Sequence, residues 1–299
     1  MLPNLIIAGV SKGGTTSLFN YLAQHPDVCS SERKELRYFI PLRYGQTLPP
    51  REEYAAHFAH CGQQRFAVEA TPGYFYGGAA LARGIKATCP DPHVVISLRS
   101  PADRCWSWFR FVRSRARIPK DMTFDAYLDR CEELHRAGVD GAIEHQPFWG
   151  LGGGCYDTYL DDWIDELGDR LRVLFFDDVV TDPHKTVRGL CEWLDIDSTV
   201  VDDFDYGVEN KTEQYRSRRI QRTAVEINKR SETFFHHHRS AKRVLRRVYY
   251  TFNRSQPELR ISPSARQRMA EFYRPHNIRL AHQLSAIGIT LPATWSEDG

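Results

Sequence analysis

No stretch of the 299-residue chain approaches the roughly 20 consecutive apolar residues of a membrane span. No basic leader, apolar h-region and cleavage site opens it, and an apolar run starts at Leu5. Both absences point to the cytosol. The pair Cys-x-x-Cys is missing too. The seven cysteines, Cys29, Cys61, Cys89, Cys105, Cys131, Cys155 and Cys191, are odd in number and scattered. That argues against a disulfide framework or a zinc site and predicts reduced, mostly core thiols, with no metal. Charge bias is absent as well: 40 Lys and Arg stand against 38 Asp and Glu, a net of +2. The whole-chain balance therefore says little about partners, and no nucleic-acid role is expected. There is no internal repeat. The length suits one large α/β domain or two small ones, and one domain over 1–299 is expected.

What the chain does have is concentrated near its start. The run Leu5-Ile-Ile-Ala-Gly-Val meets Ser11-Lys12-Gly13-Gly14-Thr15-Thr16-Ser17, and Leu18, Tyr21 and Leu22 follow at helical spacing before Pro26. This reads as strand, loop, helix. Free N–H groups at the helix start, two glycines, three hydroxyls and Lys12 are what an anion such as a phosphate needs. A mononucleotide loop would place its lysine after the last glycine; here Lys12 precedes both. Taken alone, the stretch is equally compatible with a glycine-rich turn that binds nothing.

Further along, Phe66–Thr71 reads as a strand ended by Pro72, with Tyr74 and Tyr76 at a loop tip. His93–Leu98 is a buried strand that runs into Arg99 and Ser100, the N-cap of a helix with Pro101 first and Asp103 third. That helix should carry Trp106, Phe109 and Val112 inward. A loop and a short helix are expected within 45–64, other helices over Ala79–Cys89 and Phe124–His135, from Tyr156 through Trp163, and from Pro183 and Ser262 onward, with a strand over Leu171–Phe176. Strands alternating with helices predict an α/β fold with a central, mainly parallel sheet. Lys12, Thr71 and Arg99 each follow a strand, so they should converge at its carboxyl end, where such sheets bind ligands.

Arg99 and Ser107, eight residues apart, can grip a second anion with a guanidinium and a hydroxyl. Glu35, in Lys34-Glu-Leu-Arg-Tyr-Phe39, can take a proton from an acceptor, although such a charged run is more often plain surface. Residues 211–254 hold thirteen Lys or Arg against three Glu. They read as a pair of surface helices, with contact to an anionic acceptor or membrane as the minority reading. His236-His237-His238 lacks a carboxylate or cysteine partner and reads as solvated surface.

The order of Ser11–Ser17, Lys34–Phe39, Glu69-Ala-Thr-Pro-Gly-Tyr74, Leu98-Arg-Ser-Pro-Ala-Asp-Arg-Cys-Trp-Ser107 and Gly154-Cys-Tyr with Leu160 and Trp163 resembles the sulfotransferases that use 3′-phosphoadenosine 5′-phosphosulfate. The likeness is nearest to the heparan sulfate branch and its bacterial relatives, and runs from about residue 4 to 220 plus the C-terminal helix. It implies a P-loop-NTPase-like sulfotransferase fold that needs no metal. Lys12, Gly13, Gly14, Thr15, Thr16 and Ser17 would cradle the 5′-phosphosulfate, with Lys12 assisting departure of the nucleotide. Arg99 and Ser107 would hold the 3′-phosphate, and Glu35 would be the general base toward a carbohydrate, lipid or small natural-product hydroxyl. Relatives often carry His or Gln where Arg37 stands. The heparan branch also has a loop flanked by cysteines that is absent from 210–218, so Arg216 and Arg218 are carried over only as candidate 3′-phosphate or adenine-side contacts. The competing readings are an ATP-dependent kinase-like enzyme, for which Asp177-Asp178 is the best support, and a non-catalytic nucleotide-binding or membrane-associated protein.

Overall fold

The computed structural model describes residues 1–207, 214–215, 254–255 and 260–297. Two compact units are distinguished. The first comprises 1–100, 155–210 and 275–295, and the second 101–154, 211–274 and 296–299.

The first unit is built on a five-stranded parallel sheet of order β2-β3-β1-β4-β5. The strands are β1 (Leu5–Gly9), β2 (Val28–Ser30), β3 (Phe66–Ala70), β4 (His93–Leu98) and β5 (Leu171–Phe175). Four match the apolar runs of the sequence; β2, three residues long, gives too short a run to be seen. β1 lies between β3 and β4 and is buried along its whole length. Each of its large apolar side chains contributes about 1.5–3 kcal/mol relative to exposure, which anchors the loop that follows.

Successive residues of a strand face opposite ways. Leu5 and Ile7 face one layer, where they join Leu18 and Leu22 of α1 (Thr15–Leu22) and, further along the chain, Val187 and Leu190. The helices α2 (Arg51–Ala56) and α3 (Gly78–Thr88) follow in sequence, and α3 packs with α6 (Leu160–Leu167). The buried indole of Trp163 donates to the carbonyl of Phe75 at 2.9 Å. Tyr74 and Tyr76, expected at a loop tip, are buried in a short 3₁₀ turn. After β5 come α7 (Phe176–Thr181) and α8 (Pro183–Trp193), whose N-cap Asp182 accepts from the Lys185 N–H at 2.9 Å.

The second unit contains α4 (Pro101–Ser114), α5 (Phe124–Arg136), the strand pair β6 (Gln214–Tyr215) and β7 (Arg254–Ser255), and the first part of α9 (Pro263–Ala286). A short α10 (Thr294–Glu297) ends the described chain. Phe109 and Val112 are buried as expected, while Trp106 is half-buried and stacked on Phe109 at 5.6 Å. The glycine-rich stretch 150–154 is a buried strip: Arg104, itself fully buried, donates to the Gly150 carbonyl at 2.9 Å. A side chain at Gly153 would press into that guanidinium.

In the first unit, Asp157 clasps the later part of α9. Its carboxylate lies 2.7 Å from His276 Nδ1 and accepts from Arg279 Nε at 2.7 Å. Burial pushes the Asp157 carboxyl up, but the hydrogen bonds and charges of His276 and Arg279 outweigh it and leave it below its ordinary value. A carboxylate depressed on folding stabilises fully above its unfolded pKa of about 4, and that contribution is lost as pH falls through the lower folded value. An Asp157→Asn variant should therefore be less stable than wild type at pH 7. The gap in melting temperature should narrow as pH is taken below about 4. A gap constant with pH would show that charge has no part in the clasp.

Candidate active site

The carboxyl end of β1 feeds a loop that is stitched to β4. The N–H of Val10 donates to the Ser97 carbonyl at 2.9 Å, and the Ser97 hydroxyl donates to the Gly13 carbonyl at 2.6 Å. A Cβ on Gly13 would press into the Ser97 carbonyl oxygen, so this position has room only for hydrogen. Gly14 takes φ +80° as the N-cap of α1, and no side chain caps the helix. The first N–H groups of a helix have no intrahelical acceptor and carry the positive end of its dipole. Lys12 also lies in the left-handed region, at φ +76°. For a non-glycine residue that conformation costs about 1–3 kcal/mol and is concentrated at functional sites.

The neighbours of β1 end at the same place. The N–H of Thr71, just past β3, donates to the Ile7 carbonyl at 3.2 Å. Just past β4, Arg99 donates to the Lys12 carbonyl at 3.4 Å, and its guanidinium lies 4.4 Å from the centre of the Phe176 ring. The same ring lies against Gly14. Phe176 thus covers both the loop and the arginine, a role hidden in the sequence because the residue reads as the end of an apolar strand.

Glu35 comes to this edge as well. Its N–H donates to the Ala70 carbonyl at 3.0 Å, and its side chain is half exposed. Lys34 joins it to the loop: Nζ lies 3.4 Å from Glu35 Oε1 and donates to Thr15 Oγ1 at 3.3 Å. Only 17% of the Lys34 side chain is exposed, and burial pulls its ammonium below the ordinary lysine range, with Glu35 and Glu69 opposing that shift. Glu35 offsets part of the cost of holding this shielded cation beside the positive end of a helix, and a bound anion would offset more. Lys34 stands in a run of charges, Glu32-Arg33-Lys34-Glu35, where nothing in the sequence singles it out. Arg37 is exposed and, among the described residues, forms no ion pair.

Beneath this loop lies Glu69, a fully buried carboxylate on β3. It accepts from the hydroxyls of Tyr54, Thr71 (2.6 Å) and Tyr74 (2.9 Å). The available signal was an acid inside an otherwise apolar strand, followed two and five residues later by hydroxyls. Of the remaining expected residues, Thr16 and Ser17 stand in the first turn of α1. Ser107 is half-buried on α4, in the second unit. Arg216, Arg218, the histidine triplet and most of the basic stretch 211–254 lie outside the described residues.

One expectation is corrected. Cys29 and Cys61 form a disulfide, with Cα atoms 5.8 Å apart. Cys29 is on β2 and Cys61 follows α2, so the fold pairs residues 32 apart that no motif links. The other five cysteines are buried thiols, as expected. His60 adjoins the pair. A sulfur–sulfur bond uses the thiolates a zinc ion would need.

The profile of the Sulfotransferase family matches residues 50–200. The bifunctional heparan sulfate N-deacetylase/N-sulfotransferase 1 of Caenorhabditis briggsae is 27% identical over 65% of this chain and 23% of its own length. Its Homo sapiens counterpart is 25% identical over 99% of this chain and 31% of its own. The chain thus spans less than a third of these two relatives. Human heparan sulfate glucosamine 3-O-sulfotransferase 3B1 is 25% identical over 93% of this chain and 62% of its own. Among solved structures, a sulfotransferase from Alicyclobacillus acidocaldarius superposes with a TM-score of 0.69 over 99% of both chains, at 22% identity, which establishes a shared fold.

Proposed function

The chain belongs to the sulfotransferase family, and we propose that it transfers a sulfuryl group from 3′-phosphoadenosine 5′-phosphosulfate to an acceptor hydroxyl. The observation that carries this reading is the placement of Glu35 beside the uncapped start of α1, with Lys34 touching both. An anion cradle and a carboxylate base thereby share one edge of the sheet. The donor supplies an activated sulfuryl group at one end and a 3′-phosphate at the other. The N–H groups and hydroxyls of Thr15, Thr16 and Ser17 hold the phosphosulfate end, and Lys12 places positive charge where the nucleotide leaves. Arg99 takes the 3′-phosphate. Glu35 accepts the proton of the attacking hydroxyl. Fixed donors and fixed geometry supply most of the rate, because dipoles already oriented need not reorganise during the reaction.

The acceptor we propose is a glycan hydroxyl, in keeping with the relatives named for heparan sulfate. Arg37, exposed, without an ion pair among the described residues and two residues from Glu35, favours an acceptor that carries negative charge of its own.

The donor assignment is tested by thermal shift with 3′-phosphoadenosine 5′-phosphate against ATP plus Mg²⁺ at equal concentration. A specific ligand at a hundred times its Kd stabilises by about 2.7 kcal/mol, which is a shift of several degrees. The bisphosphate should give that shift and ATP much less, and an Arg99→Ala variant should lose most of it. A shift with ATP alone would return the chain to the kinase-like reading. An undiminished response in Arg99→Ala would remove Arg99 from the 3′-phosphate.

A further inference from the structure

The loop that presents Glu35 is held in an unusual shape. Glu35 and Arg37 have φ of +64° and +62°, neither being glycine. Each such conformation costs about 1–3 kcal/mol and persists only where surrounding contacts over-determine it. The backbone bond from Glu35 to Ala70 is one such contact. Three others lead to a single buried group.

Glu69 collects three hydroxyl donors, and each of the three residues also engages the loop. Thr71 gives its proton to Glu69 at 2.6 Å, and its oxygen accepts the N–H of Arg37 at 3.2 Å. Tyr74 gives its proton to Glu69 at 2.9 Å, and its oxygen accepts the N–H of Phe39 at 3.4 Å. Tyr54 donates to the other carboxylate oxygen, and its ring stacks on Tyr38, with centroids 4.1 Å apart and planes 3° from parallel. A hydroxyl has one proton, so directing it at Glu69 fixes which side of the oxygen faces the loop. An ionised carboxylate accepts all three without competing donation, whereas an amide or neutral acid would turn one hydroxyl away.

We propose that Glu69 is a positioning residue for the transfer reaction: through the Thr71 and Tyr74 hydroxyls and the Tyr54 ring it fixes residues 37–39 and thereby sets the place of Glu35. It touches no substrate and acts only through the loop. The inference rests on the reading of Glu35 as the base, but the clamp itself has a readout of its own.

Because Glu69→Gln risks misfolding, the decisive variants are Thr71→Val, which removes one relay hydroxyl at nearly constant volume, and Thr71→Ser, which keeps it. Amide hydrogen exchange of residues 35–39 is followed by mass spectrometry in the whole chain without ligand. Turnover is followed as bisphosphate release from the sulfuryl donor, with a desulfated heparan oligosaccharide as the probe acceptor. Thr71→Val should exchange faster over residues 35–39, with the rest of the sheet unchanged. It should lose at least tenfold in kcat while its affinity for the bisphosphate stays within twofold. Thr71→Ser should restore both. In a Glu35→Gln background, Thr71→Val should lower kcat no further, since the group it positions is gone. Unchanged exchange in Thr71→Val, or a full additional loss in the Glu35→Gln background, would overturn the proposal. A wild type that consumes no donor but shows the exchange difference would instead overturn the transfer reading and leave the clamp standing.

Discussion

A Glu35→Gln variant is expected to lose about two to four powers of ten in kcat, the range for removing a positioned general base. Its affinity for 3′-phosphoadenosine 5′-phosphate should hardly change. The two halves of this expectation have separate physical grounds. Glutamine keeps the size and the hydrogen-bonding oxygen of the side chain but takes up no proton near neutral pH. Attack by a hydroxyl then proceeds without a place for its proton. The contacts proposed for the donor, by contrast, lie on the loop after β1, on α1 and on Arg99, and among the described residues Glu35 is joined to that group through Lys34, 3.4 Å away. Removing the Glu35 charge leaves Lys34 facing the cradle without its exposed carboxylate neighbour, so bisphosphate binding should if anything tighten slightly. The measurement is a kcat and KM pair with the probe acceptor, beside calorimetric titration of the bisphosphate. Turnover near wild type would take the base role from Glu35. A matching loss of bisphosphate affinity would make it a structural partner of Lys34 instead.

The parts of this site that the sequence disclosed share one property: each is written within a dozen consecutive residues. The strand, loop and helix from Leu5 were legible because an apolar run, two glycines and three hydroxyls are adjacent, and the place of Arg99 because it ends the apolar run His93–Leu98. The convergence of Lys12, Thr71 and Arg99 followed from parallel strands alone, and the β3-β1-β4 neighbourhood delivers it. What stayed hidden depends on residues far apart in the chain. Lys34 gains its meaning from Thr15, 19 positions earlier. Glu69 does so from Tyr54, 15 positions earlier, and from a loop some thirty residues back. The Cys29–Cys61 pair is of the same kind. In each case, side-chain chemistry at one position was ordinary until the fold supplied its partner. Tyr74 shows the same limit in reverse: after Pro72 and Gly73 it has the signature of a turn, yet its ring is buried because its hydroxyl has Glu69 to bond.

Gly13→Ala should be severely damaging for a single added methyl. The added Cβ points at the carbonyl oxygen of Ser97 and lies close to Val10. Ser97 sits in β4, buried on both sides, and its carbonyl already accepts the Val10 N–H while its hydroxyl holds the Gly13 carbonyl. Neither backbone can yield without breaking one of these bonds, so the loop must move as a whole. Overpacking of this kind costs about 1–3 kcal/mol. That corresponds to a fall of several degrees in melting temperature. The larger consequence is for binding. The N–H groups of α1 act together only while they point at one spot, and a displacement of about 1 Å can cost roughly a hundredfold where geometry sets the interaction. Bisphosphate affinity should fall by about that factor, and donor turnover with it. Ser97→Ala is the control: it removes the hydroxyl bond to Gly13 but adds no clash, and should cost only about 1 kcal/mol of stability and little affinity. If Gly13→Ala bound the bisphosphate as wild type does, the loop between β1 and α1 would not be the anion cradle, and the donor's phosphosulfate would have to be sought elsewhere on the sheet edge.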